Sequence, residues 1–275
     1  MKPNLIVIAG PTATGKTAYA IDLAKKLNGE VISADSRQVY KGINLLSGKV
    51  TKKEMAGIPH HLIDAVDPKC SFTVAQYKKL ADKAIKDIIA RGKVPIMCGG
   101  TGFYIDAVIY DTQLPEVPPN TKLRKELSTK TADQLFTILK KLDSARAKTI
   151  DGNNPVRLVR AIEIAKALGK VPKLSKPKLV YNVQWVYLDF PDDVLKKRIH
   201  TRLIERITQG MVREGKKLHE SGVSWKRMET LGLECRSVAR HLQNKITKTE
   251  LISELDNDIW QYVKRQRTWF KRYSL

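Results

Sequence analysis

The chain opens with an alternation of short apolar runs and amphipathic segments. Strand-like runs cover residues 5–8, 30–33 and 94–98, and helical spacing of apolar residues predicts helices over 15–27, 73–91 and from about residue 103. We expect Leu27 to face the core and Gly29 to end the first helix. Strands and helices that alternate in this way are typical of a parallel sheet covered by helices, so the pattern predicts an α/β fold.

The pattern changes after residue 113. A proline-rich stretch leads into three segments with helical spacing and many basic residues, at 121–129, 132–140 and 154–168. We expect Gly169, Pro172 and Pro177 to end this region. The composition and its boundaries predict an inserted helical domain at residues 114–176.

The sheet is expected to resume after this insertion. Residues 183–188 form an apolar run that predicts a further buried strand, and helical stretches follow near 196–217 and 248–273. The sequence therefore predicts a core of residues 1–113 and 177–275, with the C-terminal helices belonging to that core.

The first strand runs directly into a glycine-rich loop. Residues 10–17 match the phosphate-loop pattern G-x-x-x-x-G-K-[ST] at every fixed position. In such a loop, backbone amides and the start of the next helix face a phosphate, the lysine adds charge, and the last hydroxyl can bind Mg²⁺. The alternative is a glycine-rich turn before an ordinary helix. We predict a P-loop NTPase-like core whose phosphate site consists of Gly10, Pro11, Thr12, Ala13, Thr14, Gly15, Lys16 and Thr17.

Asp35 follows the second predicted strand. Because ligand sites in open parallel sheets lie beyond the carboxyl ends of the strands, Asp35 is expected near the phosphate loop. Its carboxylate could bind magnesium, act as a general base or only cap a turn, and its position alone leaves these alternatives open. Residues 45–53 are expected to form a loop over the site. The adjacent His60 and His61 favour a structural or substrate-contacting role over metal binding.

Basic residues are in large excess. The chain has 50 Lys and Arg against 28 Asp and Glu, a net charge of +22, which indicates a polyanionic partner unless it serves only solubility. Arg198, Arg202 and Arg206 recur at four-residue intervals, so we expect them on one helical face opposite an anion. The last helix mixes aromatic and basic residues in a way that suits RNA, although core aromatics with a basic outer face would look similar.

Other composition features narrow the class of protein. The three cysteines are widely spaced and include no C-x-x-C pair, so neither a disulfide framework nor a cysteine zinc site is predicted. No apolar run approaches the ~20 residues of a membrane span, and the opening residues resemble neither a signal nor a transit peptide. We expect a cytoplasmic protein with no membrane contact.

Eight segments, taken in order, carry a family resemblance. They are GPTATGKT (10–17), DSRQVY (35–40), PHHLID (59–64), SFTVAQY (71–77), GGTGFYI (99–105), VRLVRAIEI (156–164), RIHTR (198–202) and VKRQRTWF (263–270). With these motifs the chain resembles the tRNA dimethylallyltransferases, also called tRNA isopentenyltransferases, over nearly its whole length. Two features depart from the family pattern: Leu233 stands where the family usually has Tyr, and residues 127–150 form a shorter segment. The lack of a C-terminal zinc finger is typical of the bacterial form.

The resemblance implies a defined reaction. In the family, the phosphate loop holds dimethylallyl diphosphate, and the dimethylallyl group passes to the exocyclic amine of the adenosine 3′ to the anticodon, releasing diphosphate. Asp35 is then the candidate general base, since an adenine amine is a poor nucleophile until its proton is removed. Thr17 and Arg202 are the further catalytic candidates, Arg198 is expected to assist diphosphate binding, and Mg²⁺ is the expected cofactor at Thr17.

The resemblance also implies contacts with tRNA. The inserted helical domain is expected to bind the anticodon stem-loop, while residues 35–38 line a pocket for the flipped adenine. The candidate contact residues are Asp35, Ser36, Arg37, Gln38, Thr101, Arg124, Val156, Arg157, Leu158, Val159 and Arg160. We expect the protein to act as a monomer.

Three other functions fit part of this pattern. A nucleoside or nucleotide kinase would share the phosphate loop and the parallel sheet, but it would consume ATP and would not need a charge of +22. A prenyltransferase acting on free adenine nucleotide would share the donor, and the extended basic insertion argues against it. A non-catalytic RNA-binding protein would not need a complete phosphate loop beside an acidic residue.

Overall fold

Five parallel strands form the sheet of the larger structural unit. The computed structural model describes residues 2–172 and 178–273. In the spatial order β3-β2-β4-β1-β5, the strands are β1 (Asn4–Ala9), β2 (Gly29–Ser33), β3 (His60–His61), β4 (Val94–Gly99) and β5 (Asn182–Tyr187). Every neighbouring pair is parallel, so the carboxyl ends of the strands lie at one edge of the sheet. The predicted α/β fold with a parallel sheet is confirmed.

Helices connect the strands and make up most of the remaining structure. In chain order they are α1 (Lys16–Leu27), α2 (Lys52–Met55), α3 (Val74–Ala90), α4 (Gly102–Ile109), α5 (Thr121–Leu127), α6 (Ala132–Leu142), α7 (Ser144–Ala147), α8 (Pro155–Leu168), α9 (Asp192–Thr208), α10 (Met211–Glu220), α11 (Trp225–Leu231), α12 (Leu233–Leu242) and α13 (Lys248–Phe270). Within the described parts of the chain, no helix combines the length and the apolar character needed to cross a bilayer.

The chain divides into two compact units. The larger contains Met1–Asp111 and Lys178–Leu275, and the smaller contains Thr112–Pro177. The sequence predicted boundaries after residues 113 and 176. The first lies two residues after the boundary in the structure, and the second lies one residue before it. Pro177, which was expected to help end the inserted region, lies outside the described residues.

Several local details differ from the expectations. Asn28, with a left-handed φ of 49°, ends α1, whereas Gly29 already belongs to β2. Leu27 is exposed rather than inward-facing. The predicted helix over 196–217 is interrupted at Gly210, whose φ of 108° separates α9 from α10. The strand β5 is only partly buried because it lies at the edge of the sheet.

Helices cover both faces of the sheet. The alternation of side chains along β1 sends Ile6 and Ile8 toward α1, while Leu5 and Val7 pack with α3 and α4 on the opposite face. A further apolar cluster joins α9 to α13 with the loop that follows β2, through Val39, Ile43 and Leu46 among others. This loop belongs to the wall of the site described below.

The smaller unit has an apolar core of its own. Its buried centre consists of Leu123, Leu127, Leu135, Leu139, Ala147, Leu158, Ala161 and Ile162. Caps set the starts of its helices, since Thr131 and Asn154 accept backbone hydrogen bonds at the N-termini of α6 and α8. The four-residue helix α7 was not predicted, because a helix of little more than one turn shows no periodic pattern in the sequence.

A buried carboxylate ties β2 to its surroundings. Glu30 accepts hydrogen bonds from Arg91 and from Lys93 at 2.8 Å, and its other oxygen lies 2.7 Å from Nε2 of His61. The hydrogen bond from Arg91 holds the pKa of Glu30 well below its usual range, although burial alone would raise that pKa. Because β2 leads directly to Asp35, this ion cluster supports one side of the site.

Replacing Glu30 with Gln should lower the free energy of unfolding by about 2 kcal/mol at neutral pH, because the three basic partners lose a buried anion. The folded-state pKa is depressed, so the stabilisation is complete above the unfolded-state pKa and is lost as the pH falls through the folded-state pKa. Urea unfolding of both proteins from about pH 8 to about pH 3 should show the difference narrowing with acidity.

The control is Glu229→Gln, at an exposed position on α11, which should stay within about 0.5 kcal/mol of wild type. A Glu30→Gln effect that does not change with pH would contradict an electrostatic role for this carboxylate.

Candidate active site

The phosphate loop lies between β1 and α1. Gly10 has a φ of 145°, and a Cβ there would lie 2.1 Å from the carbonyl oxygen of Leu188, so only glycine fits. Gly15 and the non-glycine Ala13 also adopt positive φ, at 81° and 64°. Because no side chain caps the first amides of α1, which begins at Lys16, these amides can face an anion.

Lys16 is folded back over this loop. Its Nζ donates to the carbonyl of Pro11 and lies 3.4 Å from the hydroxyl of Thr14. Burial lowers the pKa of Lys16 to about 8, while the nearby Asp35 opposes that shift. Pro11 has no amide hydrogen, so its contribution to an anion site is the carbonyl that holds Lys16.

Asp35 faces the same cavity as Lys16 and Thr17. Its Oδ1 accepts the amide hydrogen of Arg37 at 2.7 Å and that of Gln38 at 3.4 Å, so the turn-capping alternative is present in the structure. Both bonds involve Oδ1, which leaves Oδ2 for a second role. Capping and proton transfer are therefore compatible at this residue.

The three arginines of α9 have different environments. Arg206 is buried, with its Nε donating to the carbonyl of Leu45 at 2.5 Å and its terminal nitrogens 3.1 Å from Glu234. Arg202 is half-buried and donates to the carbonyl of Gly48 at 2.8 Å. Burial and the neighbouring Arg206 lower the pKa of Arg202. Arg198 is exposed, and its guanidinium lies 4.0 Å from the ring centre of Phe190.

The loop opposite these arginines is fixed through its backbone. The amide hydrogens of Asn44, Leu45 and Leu46 all bond to the carboxylate of Glu214 on α10, at 2.9 to 3.0 Å. Together with the contacts from Arg202 and Arg206, these bonds hold residues 44–48 as one wall of the cavity. The expectation of a loop over the site is met, but its last residues form the short helix α2.

These groups line one cavity of about 870 Å³ in the larger unit. It brings together the predicted site residues Thr12, Ala13, Gly15, Lys16, Thr17, Asp35, Gln38, Arg198 and Arg202. Apolar side chains, including those of Ile21, Val31 and Val50, line it as well. The cavity therefore offers cationic, carboxylate and apolar surfaces side by side.

The remaining members of the predicted adenine pocket lie beside this cavity rather than in its lining. The amide hydrogen of Ser36 donates to the hydroxyl of Thr101 at 3.1 Å. Arg37 is exposed and donates to the carbonyl of Thr230 at 3.2 Å. This second contact places α11 next to the Asp35 loop, which no local sequence pattern indicates.

Two residues of α13 also reach the cavity, although the sequence did not predict either of them as a site residue. Gln266 is buried and contacts the phosphate loop, and the phenol of Tyr262 interacts with the side chain of Thr101. Gln266 occupies the apolar stripe formed by Ile259, Val263 and Phe270. A polar residue at that position of an amphipathic helix is the signal that could have found it.

The aromatic and basic residues of α13 serve the fold more than the sequence suggests. Phe270 belongs to the core under the sheet. Arg267 pairs with Asp189 at 2.9 Å and with Asp192 at 2.6 Å. Lys264 and Arg265 are exposed. Phe270 and Arg267 therefore have structural partners, while a contact between this helix and RNA stays a prediction.

The adjacent histidines have separate partners. Nδ1 of His60 lies 2.8 Å from the carbonyl of Ile58, and burial lowers the pKa of this histidine. His61 belongs to the Glu30 cluster. Within the described residues, no three His, Cys, Asp or Glu side chains form a group suited to a metal ion.

In the smaller unit, one predicted tRNA contact requires correction. Leu158 is fully buried in the core of that unit, so its side chain cannot reach a bound RNA. Val156 and Arg157 are exposed on the first turn of α8, and Val159 and Arg160 are partly exposed. The segment therefore offers surface contacts on either side of Leu158 only.

Arg124 has a structural partner in the same unit. It forms a two-pronged contact with the buried Glu163, with both nitrogen–oxygen distances at 2.7 Å, and Arg160 adds a bond at 3.3 Å. Burial would raise the pKa of Glu163, but the hydrogen bonds from Arg124 and Asn120 hold it below the usual value. Nearly half of the Arg124 side chain is still exposed, so a contact with RNA stays a prediction.

Comparisons with known proteins agree with one another. Residues 38–273 match the family model described as IPP transferase. The chain is 41% identical over 276 residues to the tRNA dimethylallyltransferase of Anoxybacillus flavithermus, covering 98% of this chain and 88% of that protein. It is 42% identical to tRNA dimethylallyltransferase 2 of Treponema denticola, covering 98% and 92% of the two chains.

Solved structures give the same result. The full-length tRNA isopentenylpyrophosphate transferase of Bacillus halodurans is 38% identical with a TM-score of 0.73, covering 98% of this chain and 87% of that one. A eukaryotic dimethylallyltransferase, described as acting on tRNA, is 28% identical with a TM-score of 0.81, covering 98% of this chain and 70% of that one. The chain therefore belongs to the IPP transferase family and is similar over nearly its whole length to tRNA dimethylallyltransferases.

Proposed function

We propose that this protein transfers the dimethylallyl group of dimethylallyl diphosphate to the exocyclic amine of the adenosine 3′ to the anticodon in tRNA, and releases diphosphate. The observation that carries this proposal is one cavity lined by a phosphate loop, an arginine and a carboxylate, in a chain of the IPP transferase family. Relatives that cover nearly the whole chain are named for this reaction. The proposal places the reaction in the cytoplasm, with the protein acting as a monomer.

The phosphate loop is suited to the donor's diphosphate. When the bond between the allylic carbon and oxygen breaks, its electron pair stays on the diphosphate oxygen, and negative charge develops there. The uncapped amides at the start of α1, the ammonium of Lys16 and the guanidinium of Arg202 all face the cavity that would hold this group. Fixed donors of this kind stabilise a developing anion without having to reorganise.

Asp35 is suited to act on the acceptor. The adenine amine attacks the allylic carbon, a carbon–nitrogen bond forms, and the nitrogen must lose one proton. Oδ2 of Asp35 can take that proton while Oδ1 continues to cap the turn. To reach the cavity the adenine has to leave the anticodon-loop stack, which costs a few kcal/mol that pocket contacts can offset.

Thr17 fits the role of a magnesium ligand. Its side chain lines the cavity beside Lys16, in the position whose hydroxyl binds Mg²⁺ in phosphate loops. Since the described residues offer no group of three acidic, histidine or cysteine ligands, diphosphate oxygens would supply much of the coordination. When bound, Mg²⁺ would neutralise charge on the leaving group.

The proposal is tested by a choice of acceptors. The protein is incubated with labelled dimethylallyl diphosphate and Mg²⁺, and is then offered an unmodified tRNA, AMP or ATP. We expect label in the tRNA. Label in AMP alone would favour a free-nucleotide prenyltransferase, and ATP hydrolysis without any transfer would favour a kinase-like activity; either result would overturn the proposal.

Asp35→Asn should lower kcat for tRNA prenylation by about 10²- to 10⁴-fold, because an amide cannot accept the adenine proton. Asparagine keeps an oxygen that can cap the Arg37 amide, so the thermal unfolding midpoint and tRNA affinity should change little. Single-turnover rates with saturating donor measure the effect. Asp35→Ala removes both roles, and its comparison with Asp35→Asn separates capping from chemistry. An Asn variant with wild-type rate would exclude Asp35 as the base.

Diphosphate affinity should depend on the charge of Lys16. The pKa of this lysine is about 8 in the free protein, and a bound anion raises it, so affinity falls as the pH rises above that value. Calorimetric titration with pyrophosphate and Mg²⁺ should show wild type binding more tightly than Lys16→Met at neutral pH, with the advantage shrinking in alkaline solution.

The matched control is Lys25→Met on the same helix, where the exposed lysine should leave the pH profile unchanged. If wild type and Lys16→Met responded to pH in parallel, the low pKa of Lys16 would have no part in binding.

A further inference from the structure

A buried glutamine joins two loops of the site. Gln266 is only 4% exposed. Its Oε1 accepts the amide hydrogen of Thr12 in the phosphate loop at 3.0 Å, and its Nε2 donates to the carbonyl of Gly100 at 3.0 Å. One side-chain amide thus connects the loop after β1 to the turn after β4.

Tyr262 lies one helical turn before Gln266 on α13 and is also close to the turn after β4. It lines the cavity together with Gly100 and Asp35, and its phenol interacts with the side chain of Thr101. The hydroxyl of Thr101 accepts the amide hydrogen of Ser36 at 3.1 Å. Burial and the nearby charge of Asp35 raise the pKa of Tyr262 to about 12, so the phenol stays neutral. Tyr262 is therefore connected through Thr101 to the loop that carries Asp35.

The turn between β4 and α4 has little freedom to move. A Cβ on Gly99 would lie 2.2 Å from the carbonyl oxygen of Ala34, and a Cβ on Gly100 would lie 2.0 Å from Nε2 of Gln266. The amide hydrogen of Thr101 also donates to Ala34 at 3.1 Å. Because this turn is packed against the Asp35 loop on one side and α13 on the other, the two connections act on a common rigid element.

The phosphate loop needs such support. Ala13, the residue after Thr12, has a left-handed φ of 64°, a conformation that a non-glycine residue holds only when its surroundings impose it. Gln266 fixes the amide just before this residue, and the hydroxyl of Thr14 bonds to the carbonyl of Pro11 just before Thr12. These two contacts bracket Ala13.

We propose that Gln266 and Tyr262 are positioning residues with separate tasks: Gln266 holds the phosphate loop in its anion-binding shape, and Tyr262 holds the Asp35 loop in place for proton transfer. The first task concerns diphosphate binding alone, whereas the second rests on the proposed function. Because the reacting groups come from two different loops, small displacements between them should slow transfer steeply. Both positioning residues lie on one face of α13, so this helix controls the distance between the phosphate loop and the Asp35 loop.

Gln266→Met tests the first task. Methionine fills a similar volume but leaves the Thr12 amide and the Gly100 carbonyl without their partner, so affinity for pyrophosphate with Mg²⁺ should fall by about tenfold in calorimetry. Tyr262→Phe should bind pyrophosphate as wild type does. The matched control is Gln243→Met, which removes a glutamine bonded to the Ala239 carbonyl at 2.9 Å on α12 and should also bind normally.

Tyr262→Phe tests the second task. It removes a single oxygen from a partly buried ring, so kcat for tRNA prenylation should fall about tenfold while KM for dimethylallyl diphosphate stays constant. Gln266→Met should instead raise that KM. This split distinguishes positioning from a general loss of structure, which would change both parameters in both variants.

The outcomes separate the two ideas. Normal pyrophosphate binding by Gln266→Met, or equal weakening by Gln243→Met, would overturn the role of Gln266. An unchanged kcat in Tyr262→Phe would overturn the role of Tyr262, whether or not Gln266→Met folds. If wild-type protein bound pyrophosphate yet transferred nothing to tRNA, the proposed function would fail while the role of Gln266 was still measured by binding.

Discussion

Positive charge held inside a cavity is the constraint on which the larger unit depends. Lys16 and Arg202 are placed where an anion would bind, and burial works against the charge of each. Backbone carbonyls compensate for this in the free protein, from Pro11 for the lysine and from Gly48 for the arginine. An anionic oxygen could take the place of such a carbonyl, so the charged groups are already in position in the free protein.

Other arginines of the larger unit form full ion pairs with carboxylates. Arg206 has Glu234, and Arg91 has Glu30. The smaller unit repeats this arrangement around Glu163. Several basic residues are thus paired structurally, and the net charge of +22 reflects the lysines and arginines that exceed the acidic residues in number. Exposed charge of this kind favours a polyanionic partner through long-range attraction.

The sequence was informative where the chemistry is local. Fixed spacing identified the phosphate loop, apolar runs identified β1, β2 and β4, and the position after β2 identified Asp35. Long-range contacts could not be predicted: Glu214 meets Asn44 across 170 residues, and Gln266 meets Thr12 across 254. Very short elements such as β3 were missed because two residues carry no periodicity. Leu158 was wrongly predicted as a tRNA contact because a sequence motif does not show which of its residues are buried.

The loop at residues 44–46 contributes only main-chain amides to its contact with the Glu214 carboxylate. Any residue other than proline at position 44, which is exposed, would still donate its amide hydrogen to the same carboxylate. The conformation of this wall therefore depends on Glu214, which is distant in the sequence, rather than on the side chains of the wall itself. A substitution at position 44 would therefore leave the backbone of this wall in place, whereas the loss of the Glu214 carboxylate on α10 would remove three hydrogen bonds together.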